Sequence, residues 1–247
     1  MGTFKTLLKI EGKLSLRGLD MFIFAICMPV AVVVILGGVF GNKPAFDGAE
    51  YTFLEQSFGA VSSIAICAGG VMGLPLVVSD YRNRKILKRF KVTPAAPALI
   101  LAVQVVIYAL YSIASLILIY TTGVIFFGYQ LKGSWLQFLG AYLLVMLSMF
   151  SIGLLVGGIA PNTKIAGAAA SLLYFPMLIF SGATLPYEVM PAGFQKAADI
   201  LPLTQGIKLL KAASLGLPME DVFVPVMVML VIAMVCISIS LRFFKWE

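Results

Sequence analysis

With 247 residues, 61% of them hydrophobic and only 12% charged, and a mean hydropathy of +1.02, the chain falls outside the ordinary soluble class, whose members need charged side chains to cover a surface. Lys and Arg outnumber Asp and Glu by 18 to 11, which in so apolar a chain sets orientation across a membrane and does not indicate a nucleic-acid partner. Histidine is absent and the cysteines show no CxxC spacing, so the commonest proton shuttle and metal ligand is missing and Cys27, Cys67 and Cys236 are expected as buried free thiols.

Residues 1–20 form a periodic leader. Phe4, Leu7, Leu8, Ile10 and Leu14 share one helical face, while Lys5, Lys9, Lys13 and Arg17 recur every fourth residue on the other. The pattern predicts an amphipathic helix lying in the headgroup region with its cations toward lipid phosphate. Residues 21–247 form the membrane domain, since charge-free runs long enough to cross a bilayer follow one another: 21–41, 58–78, 98–127, 135–160, 165–185 and 222–241. The first run is too long for a signal-peptide core and lacks an A-x-A-like cleavage site, so it is expected to stay in the protein. The predicted fold is all-α, a polytopic membrane protein with six transmembrane helices.

Sidedness follows from the flanking cations. Placing both termini in the cytoplasm puts Lys5, Lys9, Lys13, Arg17, the cations of residues 79–94, Lys164, Arg242 and Lys245 inside. Only Lys43, Lys132, Lys196, Lys208 and Lys211 are then left outside. The acids lean the other way, with Asp47, Glu50, Glu55, Glu188, Asp199, Glu220 and Asp221 outside.

Between the second and third runs stands SDYRNRKILKRFKVTP, residues 79–94. Helical spacing clusters Ile86, Leu87 and Phe90 with Asn83, leaving Arg82, Arg84, Lys85, Lys88, Arg89 and Lys91 on the remaining arc. This predicts a short amphipathic helix, either a protein-docking surface or a cationic loop held by lipid phosphate. After the fifth run, Pro186, Pro191, Pro202 and Pro218 divide a fairly apolar segment into two predicted short helices. One carries Phe194, Ala197, Ala198 and Leu201, the other Ile207, Leu209, Leu210 and Leu215, at the outer interface or dipping back into the bilayer. Small residues four apart (Gly69 and Gly73, Gly153 and Gly157, Gly167 and Ser171) predict close helix packing, within one subunit or across a dimer.

The layout resembles the permease subunits of bacterial ABC exporters of the ABC-2 type, including those of the daunorubicin-resistance kind. YRNRKILKRFKVTP is similar to that family's segment after the second span, with Leu87, Thr93 and Pro94 matching and Asn83, Lys85 and Ile86 standing where the family has an acidic residue, a glycine and a threonine. FSGATLPYEVMPAGFQKAADILPLTQGIKLLKA is similar to its segment after the fifth span. The resemblance implies a dimer of permeases, homodimeric or heterodimeric, each engaging a separate ABC ATPase through a coupling helix. Here that helix would be Asp80, Tyr81, Arg82, Asn83, Arg84, Lys85, Ile86, Leu87, Lys88, Arg89 and Phe90. It also implies export from the bacterial plasma membrane of an amphipathic, lipid-like, drug or glycan-type substrate. No catalytic, metal or cofactor-binding residue is expected in this chain, and ATP and Mg would enter through the partner.

Two features bear on the energy source. GxxxxGK[ST] is absent, and Gly12-Lys13 sits in the leader without a preceding strand. The six runs also lack ionisable groups, which argues against a proton-coupled carrier while leaving a sodium site of carbonyls and hydroxyls open. A non-transporting assembly or sensor protein, or an ion-coupled secondary carrier, are the alternatives. Gln104 is the conspicuous amide within a span, fit either to bond a neighbouring helix or to line a path.

Overall fold

The computed structural model describes residues 2–41, 43–46, 48–90, 97–183, 187, 190–218 and 222–243. Among these the chain is helical throughout, with one isolated bridge between Pro44 and Thr52 and no strand. Six helices are long and apolar enough to cross a membrane: Ile23–Phe40, Phe53–Asn83, Ala98–Phe127, Trp135–Ile159, Thr163–Phe180 and Phe223–Phe243. They are called the first to sixth spans below. The predicted runs are all present, but the second helix is longer than its charge-free stretch at both ends. A capping box of Thr52 and Glu55 opens it, and Asp80 and Arg82 stand on its last turn.

The second span is the axis of the bundle, with 83% of its most apolar window buried. It touches the first, third, fourth and fifth spans, and the fourth packs against the sixth. The first and sixth spans are 22% and 17% buried over the same kind of window, so most of their apolar surface faces away from this subunit. Cys27 lies exposed on the first of these faces, contrary to the buried thiol expected there, and Cys67 is buried as predicted.

Two spans widen by a π-helical turn, at Ile23–Cys27 and Ala68–Gly73. Pro29 and Pro75 follow two residues later, and a proline ring cannot coexist with the helical carbonyl four residues back. Those carbonyls belong to Ala25 and Val71, both inside the widened turns, which relieve the clash.

The small-residue faces are packing surfaces within one subunit. A Cβ at Gly153 would overlap the Gly70 carbonyl oxygen, and one at Gly157 would lie 2.9 Å from the Pro75 Cα, so the second and fourth spans meet backbone to backbone. Gly69 and Gly73 instead face Tyr108 of the third span, and Gly167 faces Leu76.

The predicted pair of short helices is present at Ala192–Ala198 and Pro202–Leu215. The first is mostly exposed, with Ala198 its one buried residue. The second is buried along nearly all its length against the second, fourth and sixth spans. A backbone that turns inside a membrane domain needs internal partners. Here Gly133 N–H donates to the Ser214 carbonyl at 3.0 Å and Leu217 N–H to the Ala212 carbonyl at 3.0 Å. Gly216 ends the helix in the left-handed conformation at φ 70. Beside it an aromatic cluster of Phe58, Tyr129, Phe138, Tyr120 and Trp135 fills the far end, with Phe58 and Tyr129 stacked at 4.3 Å. Phe58 and Phe138 are 2% and 0% exposed, so these rings are core.

Candidate functional site

The basic stretch forms a corner rather than one amphipathic helix. The second span runs on to Asn83, the chain turns at Arg84 and Lys85, and a separate helix covers Ile86–Phe90. The turn is tied by Arg84 N–H to the Asp80 carbonyl and Lys85 N–H to the Arg82 carbonyl, each 2.9 Å. Lys85 has φ 57, the left-handed conformation that glycine adopts without steric cost.

This geometry divides the expected docking surface. Leu87, clustered in sequence with Ile86 and Phe90, is 0% exposed and packs with Val78, Ile100 and Leu101, with Tyr81, Ile86 and Leu154 around them. Asn83, Arg84, Lys85 and Lys88 remain exposed. Arg84 Nε is 2.9 Å from the Asp80 carboxylate, one turn back. The side chains of Arg89 and Phe90, and Lys91, Thr93 and Pro94 entirely, lie outside the described residues, as do Asp47, Leu185, Pro186, Glu188, Glu220, Asp221 and Lys245.

Arg82 departs most from expectation. It was grouped with the outward cations, yet it is 8% exposed and turned toward the fourth span. Its Nη1 donates to the Gly157 carbonyl at 3.0 Å and the Ala160 carbonyl at 2.7 Å. Gly157 needs that donor because the amide four residues on belongs to Pro161, which has no N–H.

Tyr81, the neighbouring residue, points the other way. Its hydroxyl donates to the Glu11 carboxylate of the leader. Gln104 Nε2 of the third span donates to the same Glu11 oxygen and to the Tyr81 hydroxyl, at 2.9 Å each. Gln104 therefore bonds neighbouring helices, one of the two roles open to it in sequence. The leader, Thr3–Arg17, packs Phe4, Leu7 and Leu8 against the bundle and Ser15 Oγ donates to the Tyr111 hydroxyl at 3.2 Å, whereas Ile10 and Leu14 are exposed with the four cations. Glu11 was not singled out in sequence because one acid in an amphipathic helix looks like any solvated residue. Its signal was its place on the Phe4, Leu7 and Leu8 stripe.

At the far end Lys208 Nζ sits 2.7 Å from the Asp199 carboxylate, to which the Tyr187 hydroxyl also donates at 2.9 Å. Partial burial pushes the Asp199 carboxyl up, but the bonds from Lys208 and Tyr187 and the Lys208 charge outweigh it and hold the group below the usual carboxylate range. A depressed carboxylate stabilises the fold above the ordinary aspartate range and loses that contribution as pH falls through its lowered value. Replacing Lys208 with Met is expected to shift the Asp199 titration to higher pH, observed by carboxyl carbon NMR, and to move acid loosening of the 192–215 segment upward with it.

No group of His, Cys, Asp or Glu able to hold a metal occurs among the described residues. Six helices long and apolar enough to cross, a leader bonded to the second and third spans and an exposed cationic corner describe a polytopic membrane protein. The chain belongs to the ABC-2 type transporter family, which matches residues 2–215. The family is that of ABC-2 transporter membrane regions. The chain is similar to nodulation protein J of Rhizobium leguminosarum bv. viciae, 36% identical over 76 residues, 31% of this chain and 29% of the relative. The corresponding protein of R. leguminosarum bv. trifolii is 36% identical over 95 residues, 38% and 36% of the two chains. That of Neorhizobium galegae is 32% identical over 98 residues, 40% and 35%. The aligned stretches thus span about a third of these relatives. No solved structure matches.

Proposed function

We propose that the chain is the permease subunit of an ATP-driven exporter, and that a separate ABC ATPase docks on the Arg84–Lys88 corner. The observation that carries this reading is the sorting of side chains there. Leu87 anchors the corner to the second and third spans, while Arg84, Lys85 and Lys88 stand exposed on it. A cationic knob fixed to two spans suits an acidic partner surface and can pass force to the membrane. Lipid phosphate alone would need the cations but not the rigid mounting.

The leader end carries most of the cations, so this reading puts the leader, the corner and both termini in the cytoplasm of a bacterial plasma membrane. The exposed apolar faces of the first, fifth and sixth spans are then covered by lipid and by a second permease. The substrate is amphipathic, in keeping with the apolar surfaces it must pass. ATP and Mg act in the partner.

The test is charge reversal. Arg84→Glu with Lys88→Glu is expected to lower ATPase co-purification and permease-stimulated ATP hydrolysis by at least tenfold, with membrane insertion unchanged. Arg84 is largely exposed, so losing its Asp80 pair costs the fold little. Undiminished hydrolysis in that variant would refute the docking site, and a wild-type chain that retains no ABC ATPase from native membranes would refute the whole reading.

A further inference from the structure

We infer that Arg82 is a positioning residue for the transport stroke, fixing the axial register of the second span against the fourth so that a push on the corner moves the turn between the fourth and fifth spans. The inference rests on the docking reading of the corner and adds the route by which force leaves it.

Three observations combine. The first is the bonding of Arg82 itself. No carboxylate pairs with it among the described residues, and its Nη1 is held only by the Gly157 and Ala160 carbonyls at the end of the fourth span. A guanidinium buried this far is expensive unless its donors are met, and the negative end of a helix is a favourable place to meet them. Pulling the two helices apart would strand a cation and the Gly157 carbonyl together, so the two ends travel as one.

The second is the closeness of the remaining seam. Gly70, Gly153 and Gly157 bring the backbones into contact, and Leu74 and Val78 of the second span lie against Gly153 and Gly157. Apolar packing guides the two helices along this seam, and the directional bonds of Arg82 add a fixed point at its end.

The third is position. Arg82 lies two residues before the exposed Arg84, within the turn that Leu87 clamps to Val78, Ile100 and Leu101. On the other side of the bonded carbonyls come Pro161 and Asn162, whose side chain caps the fifth span at the Ile165 amide, 2.9 Å away. Corner, Arg82, fourth-span end and fifth-span start thus form a continuous chain of fixed contacts.

The test uses the permease with its ABC ATPase in lipid nanodiscs. Cys27, Cys67 and Cys236 are replaced by Ser, and spin labels are placed at Lys9→Cys and Lys164→Cys, both on the leader end. Label distances are compared without nucleotide and after trapping with ATP and vanadate. The parent is expected to change distance on trapping. Arg82→Gln is expected to keep its ATPase and hydrolyse ATP within about twofold of the parent, while the distance change falls at least threefold, and Arg82→Lys should recover part of it. An unchanged shift in Arg82→Gln with ATPase bound overturns this inference alone, as does a parent that shows no shift. Failure of both variants to assemble also overturns it, because Arg82 would then serve the fold only. A parent that binds no ATPase overturns the docking reading and this inference with it.

Discussion

Gly153→Ala is expected to abolish recovery of a folded, monodisperse protein, although it adds one methyl group to a residue inside a membrane helix. That methyl would overlap the carbonyl oxygen of Gly70, and the two nearest atoms are backbone, so neither can rotate away. The second and fourth spans must separate along a seam that reaches from Gly70 to Arg82. Such overpacking belongs to the exceptional class of substitutions, of order 4 kcal/mol or more. Gly140→Ala is the matched control, since nothing lies within 4 Å of a Cβ there. Fluorescence size exclusion after a heat step in detergent separates the outcomes, and equal recovery of the two variants would contradict the seam.

Leu87→Ala is expected to release the corner without unfolding the bundle. The side chain is fully buried in a small cluster apart from the main core, with Val78, Ile100 and Leu101 as its buried partners. Truncating a buried leucine costs about 2–5 kcal/mol, and the loss falls on the 84–90 segment because the main core does not depend on that cluster. Backbone amides at Arg84 to Lys88 should exchange hydrogen at least tenfold faster, while those of the second span's glycine region stay protected. If the corner works as a lever, permease-stimulated ATP hydrolysis should fall several-fold with all of its cations in place. Unchanged exchange at those amides would mean that Leu87 does not hold the corner.

The two substitutions probe what differed most in legibility. The six spans were readable because the cost of charge in hydrocarbon forces uninterrupted apolar runs, and proline and glycine mark where such runs end. The short helices at Ala192–Ala198 and Pro202–Leu215 were readable for the same reason. That the second of them is wedged among three spans was not, since an apolar helix looks alike whether lipid or protein covers it.

The candidate site was legible in charge but not in direction. Arg82, Arg84, Lys85 and Lys88 read as one cationic arc, yet Lys85 turns the chain and Arg82 faces the fourth span. The continuous-helix periodicity failed because it assumes unbroken rotation of about 100° per residue, and one left-handed residue resets the phase. Glu11 and Tyr81 lie 70 positions apart, and no local pattern joins them.

By itself, then, the sequence determined the six apolar spans and the cationic stretches that lie outside them, because burial of charge in lipid is costly enough to be written locally. Only the tertiary structure decided which of those cations are spent inside the protein. A guanidinium will leave water for a helix end whose proline has orphaned a carbonyl, and the two halves of that bargain, Arg82 and Pro161, meet only when the second and fourth spans pack.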